Sequence, residues 1–183
     1  YIGTANEPVS SANRTVPGYQ AAAAEFNGFG AAAAERGIRW YHHNHQNEFR
    51  FANDDPGVRL YDILLEDTDP DLVYLEMDIY WAFVGQHIAP GFEPIDYVNA
   101  HPHRYPLFHA KDGERREDLT NGYSITEFGA GDIDFAGFYR QMRARGAHYS
   151  LWEQDNAPNT PPDQGGAFGA AERSYDAIYN LRG

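Results

Sequence analysis

The sequence predicts an α/β fold built around a parallel sheet, because helical segments alternate with short strands that are almost continuously apolar. Four such strands are predicted, over residues 38–43, 72–78, 105–110 and 148–153. Each is apolar until its carboxyl end and then changes abruptly to His, Asp or Glu. In parallel α/β folds the carboxyl ends of the strands share one edge of the sheet, and that edge is where active sites are built.

Helix signals occupy the segments between the strands. The predicted helices cover residues 21–36, 60–65, 95–100 and 135–145, and a last helix follows the Pro- and Gly-rich segment 157–166. Pro17 lies near the start of the first helix and Gly37 just past its end, as helix termini favour. Asp134 is predicted to cap the fourth helix, which Gly146 ends. No linker or charge block divides the chain, so we expect a single domain over residues 1–183.

The composition narrows the class of protein. The chain has 183 residues, 42% of them apolar, which is enough to bury a core. With 27 acidic and 14 basic residues the net charge is −13, which disfavours binding to nucleic acid and to anionic membranes. No apolar run approaches the length of a membrane span, and residues 1–4 lack the features of a signal peptide. We expect a soluble protein, cytoplasmic in preference, with export left open because the first residue is not methionine.

A group of ionisable residues follows the strands, at the edge where we expect the active site. They are His43, His45 and Glu48 after the first strand, Glu76 and Asp78 at the second, His109 and Lys111 at the third, and Glu153 and Asp155 at the fourth. Residues two apart on a strand face the same way. The two members of each of the pairs 43/45, 76/78, 109/111 and 153/155 are therefore expected to project together. Because the chain has no cysteine, any metal must bind to His, Asp and Glu. Converging carboxylates and imidazoles are the ligands of a divalent metal ion such as Mn²⁺, Mg²⁺, Co²⁺ or Zn²⁺.

Five sequence blocks carry a family resemblance. They are Tyr41-His42-His43-Asn44-His45-Gln46-Asn47-Glu48-Phe49, Leu75-Glu76-Met77-Asp78-Ile79-Tyr80-Trp81 followed by Gly85, His109-Ala110-Lys111-Asp112, Gly129-Ala130-Gly131-Asp132-Ile133-Asp134-Phe135, and Trp152-Glu153-Gln154-Asp155. In this order, over about residues 20–180, the blocks resemble those of the sugar phosphate isomerase/epimerase family. That family lies in the xylose isomerase-like TIM barrel superfamily, which also includes endonuclease IV.

The resemblance implies a (β/α)₈ TIM barrel that holds one divalent metal ion at the carboxyl ends of its last four strands. The ligands it implies are Glu48, Asp78, His109 and Glu153, with His43 as an alternative to Glu48. A whole barrel needs about 250 residues, and the strands predicted here match its C-terminal half. We therefore expect N-terminal strands that lie outside this sequence or, less favoured, a second half supplied by another chain, as in a homo-oligomer.

The resemblance further implies a metal-dependent isomerase or epimerase that acts on a sugar or sugar phosphate. The metal ion would make the α-proton of the substrate acidic and stabilise the enediolate that forms. Glu48 and Glu153, on opposite sides of the substrate, would then exchange a proton with the carbon.

Four other residues receive an interpretation from this activity. Lys111 is the only lysine of the chain, and we interpret it as a contact to a sugar oxygen or to the developing enolate rather than as an ordinary exposed lysine. His43 and His45 either form structural hydrogen bonds or contact the substrate. Trp81 either belongs to the core or stacks on a sugar face.

Three alternative functions stay open at this point. With a β-leaving group, the same first step gives a dehydratase or lyase acting on a keto-sugar or keto-cyclitol, in which His43 or His45 would be the acid. A half-barrel could also be a non-catalytic remnant that binds sugar. Cleavage of abasic DNA, as in endonuclease IV, needs a cluster of metal ions and a basic groove, and the net charge of −13 disfavours it.

Overall fold

The main sheet of the protein is parallel. The computed structural model describes residues 1–143 and 148–181. Within them the sheet has five strands, which are, in spatial order, β1 (Ile2–Thr4), β2 (Trp40–His43), β3 (Val73–Asp78), β4 (Leu107–Ala110) and β7 (Tyr149–Trp152). A separate antiparallel hairpin, β5 (Asp112–Arg115) and β6 (Tyr123–Thr126), lies between β4 and β7 in the chain. The parallel sheet curls into half of a TIM barrel.

Helices connect the parallel strands, as parallel pairing requires. They are α1 (Val16–Ala34), α2 (Leu60–Asp67), α3 (Ile79–Ile88), α4 (Pro94–Ala100), α5 (Phe135–Gln141) and α6 (Gly166–Leu181), with short 3₁₀ helices at Ser11–Asn13, Gln46–Phe49, Pro102–Arg104, Ala157–Asn159 and Pro162–Gln164. Over residues 1–143 and 148–181, none of the helices combines the length and the apolar character that a bilayer-spanning segment requires.

All four predicted strands are confirmed, each within about two residues of its expected bounds. The number of strands in the parallel sheet is corrected from four to five, because Ile2–Thr4 pairs with β2. This strand has only three residues, too few to show a recognisable pattern. The β5–β6 hairpin is a second addition, and its first strand, Asp-Gly-Glu-Arg, has none of the apolar alternation that predicts a strand.

The helices are confirmed with three differences. Helix α3 is absent from the sequence-based prediction because Ile79–Ile88 is nearly all apolar and follows β3 directly, so no polar face marks it as a helix. Helix α1 begins at Val16, where Thr15 accepts a hydrogen bond from Gly18 N at 3.1 Å. Helix α5 ends at Gln141, and the predicted end at residues 145–146 lies outside the described residues.

Two positions show how the sequence allows α1 and α5 to form and pack. A Cβ atom on Gly30 would lie 2.6 Å from the backbone oxygen of Leu72, so only glycine permits this close approach of α1 to the start of β3. Asp134 caps α5 as predicted, by accepting a hydrogen bond from Gly137 N at 2.7 Å.

A buried arginine occupies the edge of the sheet where the parallel strands begin. Arg104, only 1% exposed, donates from Nε to Val73 O at 3.2 Å, from Nη1 to Leu65 O at 3.0 Å and from Nη2 to Thr68 Oγ1 at 2.6 Å. These bonds tie the segment before β4 to the start of β3 and to the end of α2. All three nitrogens of the guanidinium group therefore have acceptors, which a buried charge requires.

The two outer strands of the half-barrel expose apolar side chains. Ile2 on β1 is 55% exposed and Tyr149 on β7 is 56% exposed. Open sheet edges of this kind are normally covered in proteins. That further strands or a second copy of the chain cover them stays a prediction.

Candidate functional site

Four side chains meet at the carboxyl edge of the parallel sheet. His43 ends β2, Asp78 ends β3, His109 lies in β4, and Glu153 follows β7. Each offers a nitrogen or oxygen atom, and these atoms all lie within 4.8 Å of one another. The parallel register explains the arrangement, because Asp78 is aligned with His109 across β3 and β4, and Glu153 lies directly after the last pair between β4 and β7.

The distances within this group, which we call the four-residue group, are short. His109 Nδ1 lies 2.6 Å from Glu153 Oε2 and 3.9 Å from Asp78 Oδ2. His43 Nε2 lies 3.7 Å from the same Asp78 oxygen. Asp78 Oδ2 is buried and has no hydrogen-bond partner among the described residues, so it faces the imidazole nitrogens without being satisfied by either.

Asp78 is held by contacts of its backbone and of its second carboxylate oxygen. Oδ1 accepts a hydrogen bond from Trp81 N at 3.0 Å and so caps α3. Asn44 forms two bonds to the backbone of Asp78, one from its Nδ2 to Asp78 O at 3.2 Å and one from Asp78 N to its Oδ1 at 3.1 Å. The Asn44 amide therefore clamps the end of β2 to the end of β3. This role of Asn44 was not predicted from the sequence, although Asn44 lies between two of the predicted site histidines.

Electrostatic interactions in the group are strong. Burial opposes the charged form of His109, but its contacts with Glu153 and Glu76 raise its pKa to about 9. The hydrogen bond with His109 lowers the pKa of Glu153 to about 2. Burial raises the pKa of Asp78 to about 6, against the attraction of Lys111. Without a metal ion, His109 therefore carries a proton that a bound cation would have to displace.

The donor set fits a divalent cation. Two imidazole nitrogens and two carboxylate oxygens suit Mn²⁺, Co²⁺ or Zn²⁺, and they suit Mg²⁺ less because Mg²⁺ prefers oxygen ligands. The buried Asp78 Oδ2 is an independent indication, because no hydrogen bond from the described residues satisfies this carboxylate oxygen.

Lys111 lies beside the four-residue group and is 2% exposed. Its Nζ is 2.8 Å from Asp155 Oδ2, 3.5 Å from Glu153 Oε2 and 4.0 Å from Asp78 Oδ2. The same atom lies 4.8 Å from the centre of the Trp81 ring. The prediction that the 109/111 and 153/155 pairs project together is confirmed, because both members of each pair reach this cluster.

His45 lies at the rim of the site. Its ring centre is 5.0 Å from that of His43 and 5.6 Å from that of Trp81. Burial lowers its pKa, so its imidazole is neutral at neutral pH. The structure thus brings together three of the residues predicted to contact the substrate, namely His45, Trp81 and Lys111.

Glu48 is not brought into the four-residue group. Neighbouring residues on a strand point to opposite faces, so His43 faces the site while His42 packs against Phe26 of α1, with ring centres 5.0 Å apart. Glu48 is fully buried on the side of His42, with Oε1 3.4 Å from His42 Nε2. His43, the alternative to Glu48, is the residue that lies together with Asp78, His109 and Glu153.

Comparison with solved structures places the fold among sugar isomerases and epimerases. A sugar phosphate isomerase/epimerase from Parabacteroides distasonis ATCC 8503 matches with a TM-score of 0.72 at 24% identity, covering 98% of this chain and 56% of its own. A second structure under that description, from the same organism, matches with a TM-score of 0.69 at 25% identity, over 94% of this chain and 57% of its own. A xylose isomerase domain protein from Planctomyces limnophilus matches with a TM-score of 0.63 at 13% identity, over 98% and 57%.

These matches confirm the resemblance indicated by the sequence blocks, and they show that the fold is that of a partial TIM barrel. The chain spans a little over half the length of the structures it matches. No protein-family model matches the chain, and no curated protein matches it in sequence.

Proposed function

We propose that this chain carries the metal site of a divalent-metal-dependent isomerase or epimerase acting on a sugar or sugar phosphate. The observation that carries the proposal is the four-residue group at the carboxyl edge of a half-barrel whose structural neighbours are described as sugar isomerases and epimerases. In TIM barrel enzymes this edge bears the active site.

His43, Asp78, His109 and Glu153 would hold the cation. When bound, a divalent cation supplies Lewis-acid polarisation of a substrate carbonyl, which makes the neighbouring C–H acidic. His109 Nδ1 cannot both share a proton with Glu153 and offer its lone pair to a cation. The 2.6 Å hydrogen bond between them would therefore be given up when the site is loaded.

Glu153 is the group we assign to proton transfer at carbon. Its side chain is 36% exposed, whereas that of Asp78 is fully buried, so a substrate can reach it. Its low pKa in the metal-free protein comes first from the bond with His109. When the cation is bound, the carboxylate oxygen that does not hold it would accept the proton. Lys111, 3.5 Å from Glu153, would stabilise negative charge that develops on a substrate oxygen.

Elimination is the second candidate, and the position of Glu48 favours it. Glu48 lies beside His42 rather than in the four-residue group, so in this proposal it is not the second carboxylate that a two-base isomerase would use. The ring centre of His45 lies 5.0 Å from that of His43. In a dehydratase or lyase, the neutral His45 would first take up a proton and then donate it to the β-leaving group.

The test is deuterium wash-in at the α-carbon, measured by NMR on the Mn²⁺-supplemented protein with a panel of ketoses, aldoses and their phosphates. The wild type should exchange the α-proton. Glu153→Gln should lose both metal and exchange, because glutamine has neither the charge that holds a cation nor the basicity that accepts the proton. Lys111→Met should keep the metal and lose most of the exchange.

The outcomes distinguish the candidates. Undiminished wash-in in Glu153→Gln would contradict the proposed role of Glu153. Wash-in accompanied by loss of water would favour the lyase. Metal and sugar binding without any wash-in would favour the non-catalytic alternative.

A further inference from the structure

A fifth carboxylate lies behind the four-residue group. Glu76 is two residues before Asp78 on β3 and is 2% exposed. Its Oε2 lies 3.1 Å from His43 Nδ1 and 3.3 Å from His109 Nε2. One carboxylate oxygen thus contacts both imidazoles, and the two rings lie with their centres 4.4 Å apart.

The nitrogens that contact Glu76 are not the ones that face Asp78. His43 turns Nδ1 to Glu76 and Nε2 to Asp78, the latter at 3.7 Å. His109 does the reverse, with Nε2 toward Glu76 and Nδ1 toward Asp78 at 3.9 Å. The two rings therefore present different nitrogen atoms to Asp78, which are Nε2 of His43 and Nδ1 of His109.

A carboxylate that accepts an N–H from one ring nitrogen fixes the tautomer of that imidazole. The other nitrogen then keeps its lone pair and can bind a cation. Because Glu76 contacts both rings, it can fix both tautomers at once.

We propose that Glu76 is a positioning residue that holds His43 and His109 in opposite tautomers, so that His43 binds a cation through Nε2 and His109 binds it through Nδ1. This inference rests on the metal site of the proposed function. It assigns a role to Glu76, which the sequence placed at the strand end without one.

The first test uses the wild type alone. Histidine side-chain ¹⁵N shifts of the Zn²⁺-loaded protein should show His43 bound through Nε2 and His109 through Nδ1, with the opposite nitrogen of each ring protonated. Binding through the same nitrogen in both rings would overturn the proposal. An absence of Zn²⁺ binding by the wild type would instead contradict the proposed function.

The second test compares two variants by titration with Co²⁺, followed through its visible absorption. Glu76→Gln keeps the size of the side chain but removes the charge and one of the two acceptor sites. We expect its Kd for Co²⁺ to rise by about 10- to 100-fold, with an altered absorption band because a histidine ligand is no longer held.

The matched control is Leu64→Ala in α2, a buried substitution away from the four-residue group. It should lower the melting temperature and leave the Kd and the absorption band of the wild type unchanged. An unchanged Kd and absorption band in Glu76→Gln would overturn the proposal. An equal loss of Co²⁺ affinity in Glu76→Gln and Leu64→Ala would also overturn the proposal, because it would show that Glu76 affects binding only through the stability of the fold. Should Glu76→Gln fail to fold, the ¹⁵N assignment on the wild type decides alone.

Discussion

The two edges of the parallel sheet bury charge in opposite ways. At the edge where the strands begin, Arg104 is surrounded by acceptors, and each of its nitrogens forms a hydrogen bond. At the carboxyl edge, in the part of the chain that the structure describes, Asp78 Oδ2 and Glu76 Oε1 are buried without a hydrogen-bond partner, as are both carboxylate oxygens of Glu48 beside His42. Within the described residues, the charge of Arg104 is fully hydrogen-bonded. At the carboxyl edge, four carboxylates, of Glu76, Asp78, Glu153 and Asp155, surround two cations, Lys111 and a protonated His109.

The difference teaches how to distinguish structural from functional buried charge. A buried ion that is fully hydrogen-bonded contributes to the uniqueness and stability of the fold, and its removal leaves acceptors without donors. A buried carboxylate that lacks a partner costs stability, and proteins retain such groups where an external ligand completes them. Arg104 belongs to the first kind and Asp78 to the second.

The largest effect should come from Asp78→Asn. Asparagine can still cap α3 through its side-chain oxygen, but it removes the charge that the cation needs. We expect binding to disappear at Co²⁺ concentrations that saturate the wild type. The metal-free variant should unfold at a temperature no lower than the wild type does in EDTA, because a neutral amide is less costly to bury than a carboxylate. A large loss of metal-free stability would show that Asp78 is structural like Arg104.

Arg104→Met should have the opposite effects, a loss of stability with little change in metal affinity. Methionine fills part of the volume but leaves Val73 O, Leu65 O and Thr68 Oγ1 without their donor. We expect the free energy of unfolding to fall by about 3 kcal/mol, measured by urea denaturation. The Kd for Co²⁺ should stay within about threefold of the wild type, since second-sphere effects are local. A strong loss of affinity would mean that the two edges are coupled.

A smaller effect is expected for Tyr61→Phe. Tyr61 and Tyr105 are buried, and their hydroxyl groups are 3.2 Å apart. Removing one hydroxyl group should lower the free energy of unfolding by about 1 kcal/mol without changing metal affinity. An increase in stability would show that this pair is not a stabilising hydrogen bond.

The smallest effect should come from Glu127→Gln. Glu127 accepts two hydrogen bonds at 2.7 Å from Arg173, but the pair lies at the surface. Exposed ion pairs contribute little, so we expect a change below about 0.5 kcal/mol. A larger loss, persisting in high salt, would show that burial is not what separates the strong pairs in this protein from the weak ones.

Much of the fold could be predicted from the sequence because its strands are short, apolar and punctuated by ionisable residues at one end. The same pattern explains why Asp78, His109 and Glu153 could be expected to converge. The hairpin β5–β6 and helix α3 could not be predicted, since the first strand of the hairpin has no apolar alternation and the helix has no polar face.

The position of Glu48 shows the limit of reasoning from spacing. His43 and Glu48 lie close in sequence, and both are metal-ligand types, so the sequence allows either. The choice depends on which face of β2 each side chain takes, and that depends on the 3₁₀ helix Gln46–Phe49 after the strand. The burial of Arg104 could not be predicted either, because its acceptors are two backbone carbonyls and the Thr68 hydroxyl group, which no sequence pattern marks.

Whether the carboxyl edge binds a cation is tested most directly by equilibrium dialysis of the metal-free wild type against Mn²⁺, with bound ion measured by elemental analysis. The unsatisfied charge at the carboxyl edge predicts one ion per chain, released by EDTA with the fold retained. An absence of stoichiometric binding at millimolar Mn²⁺, and equally at Co²⁺ and Zn²⁺, would contradict the claim that this edge is a cation site.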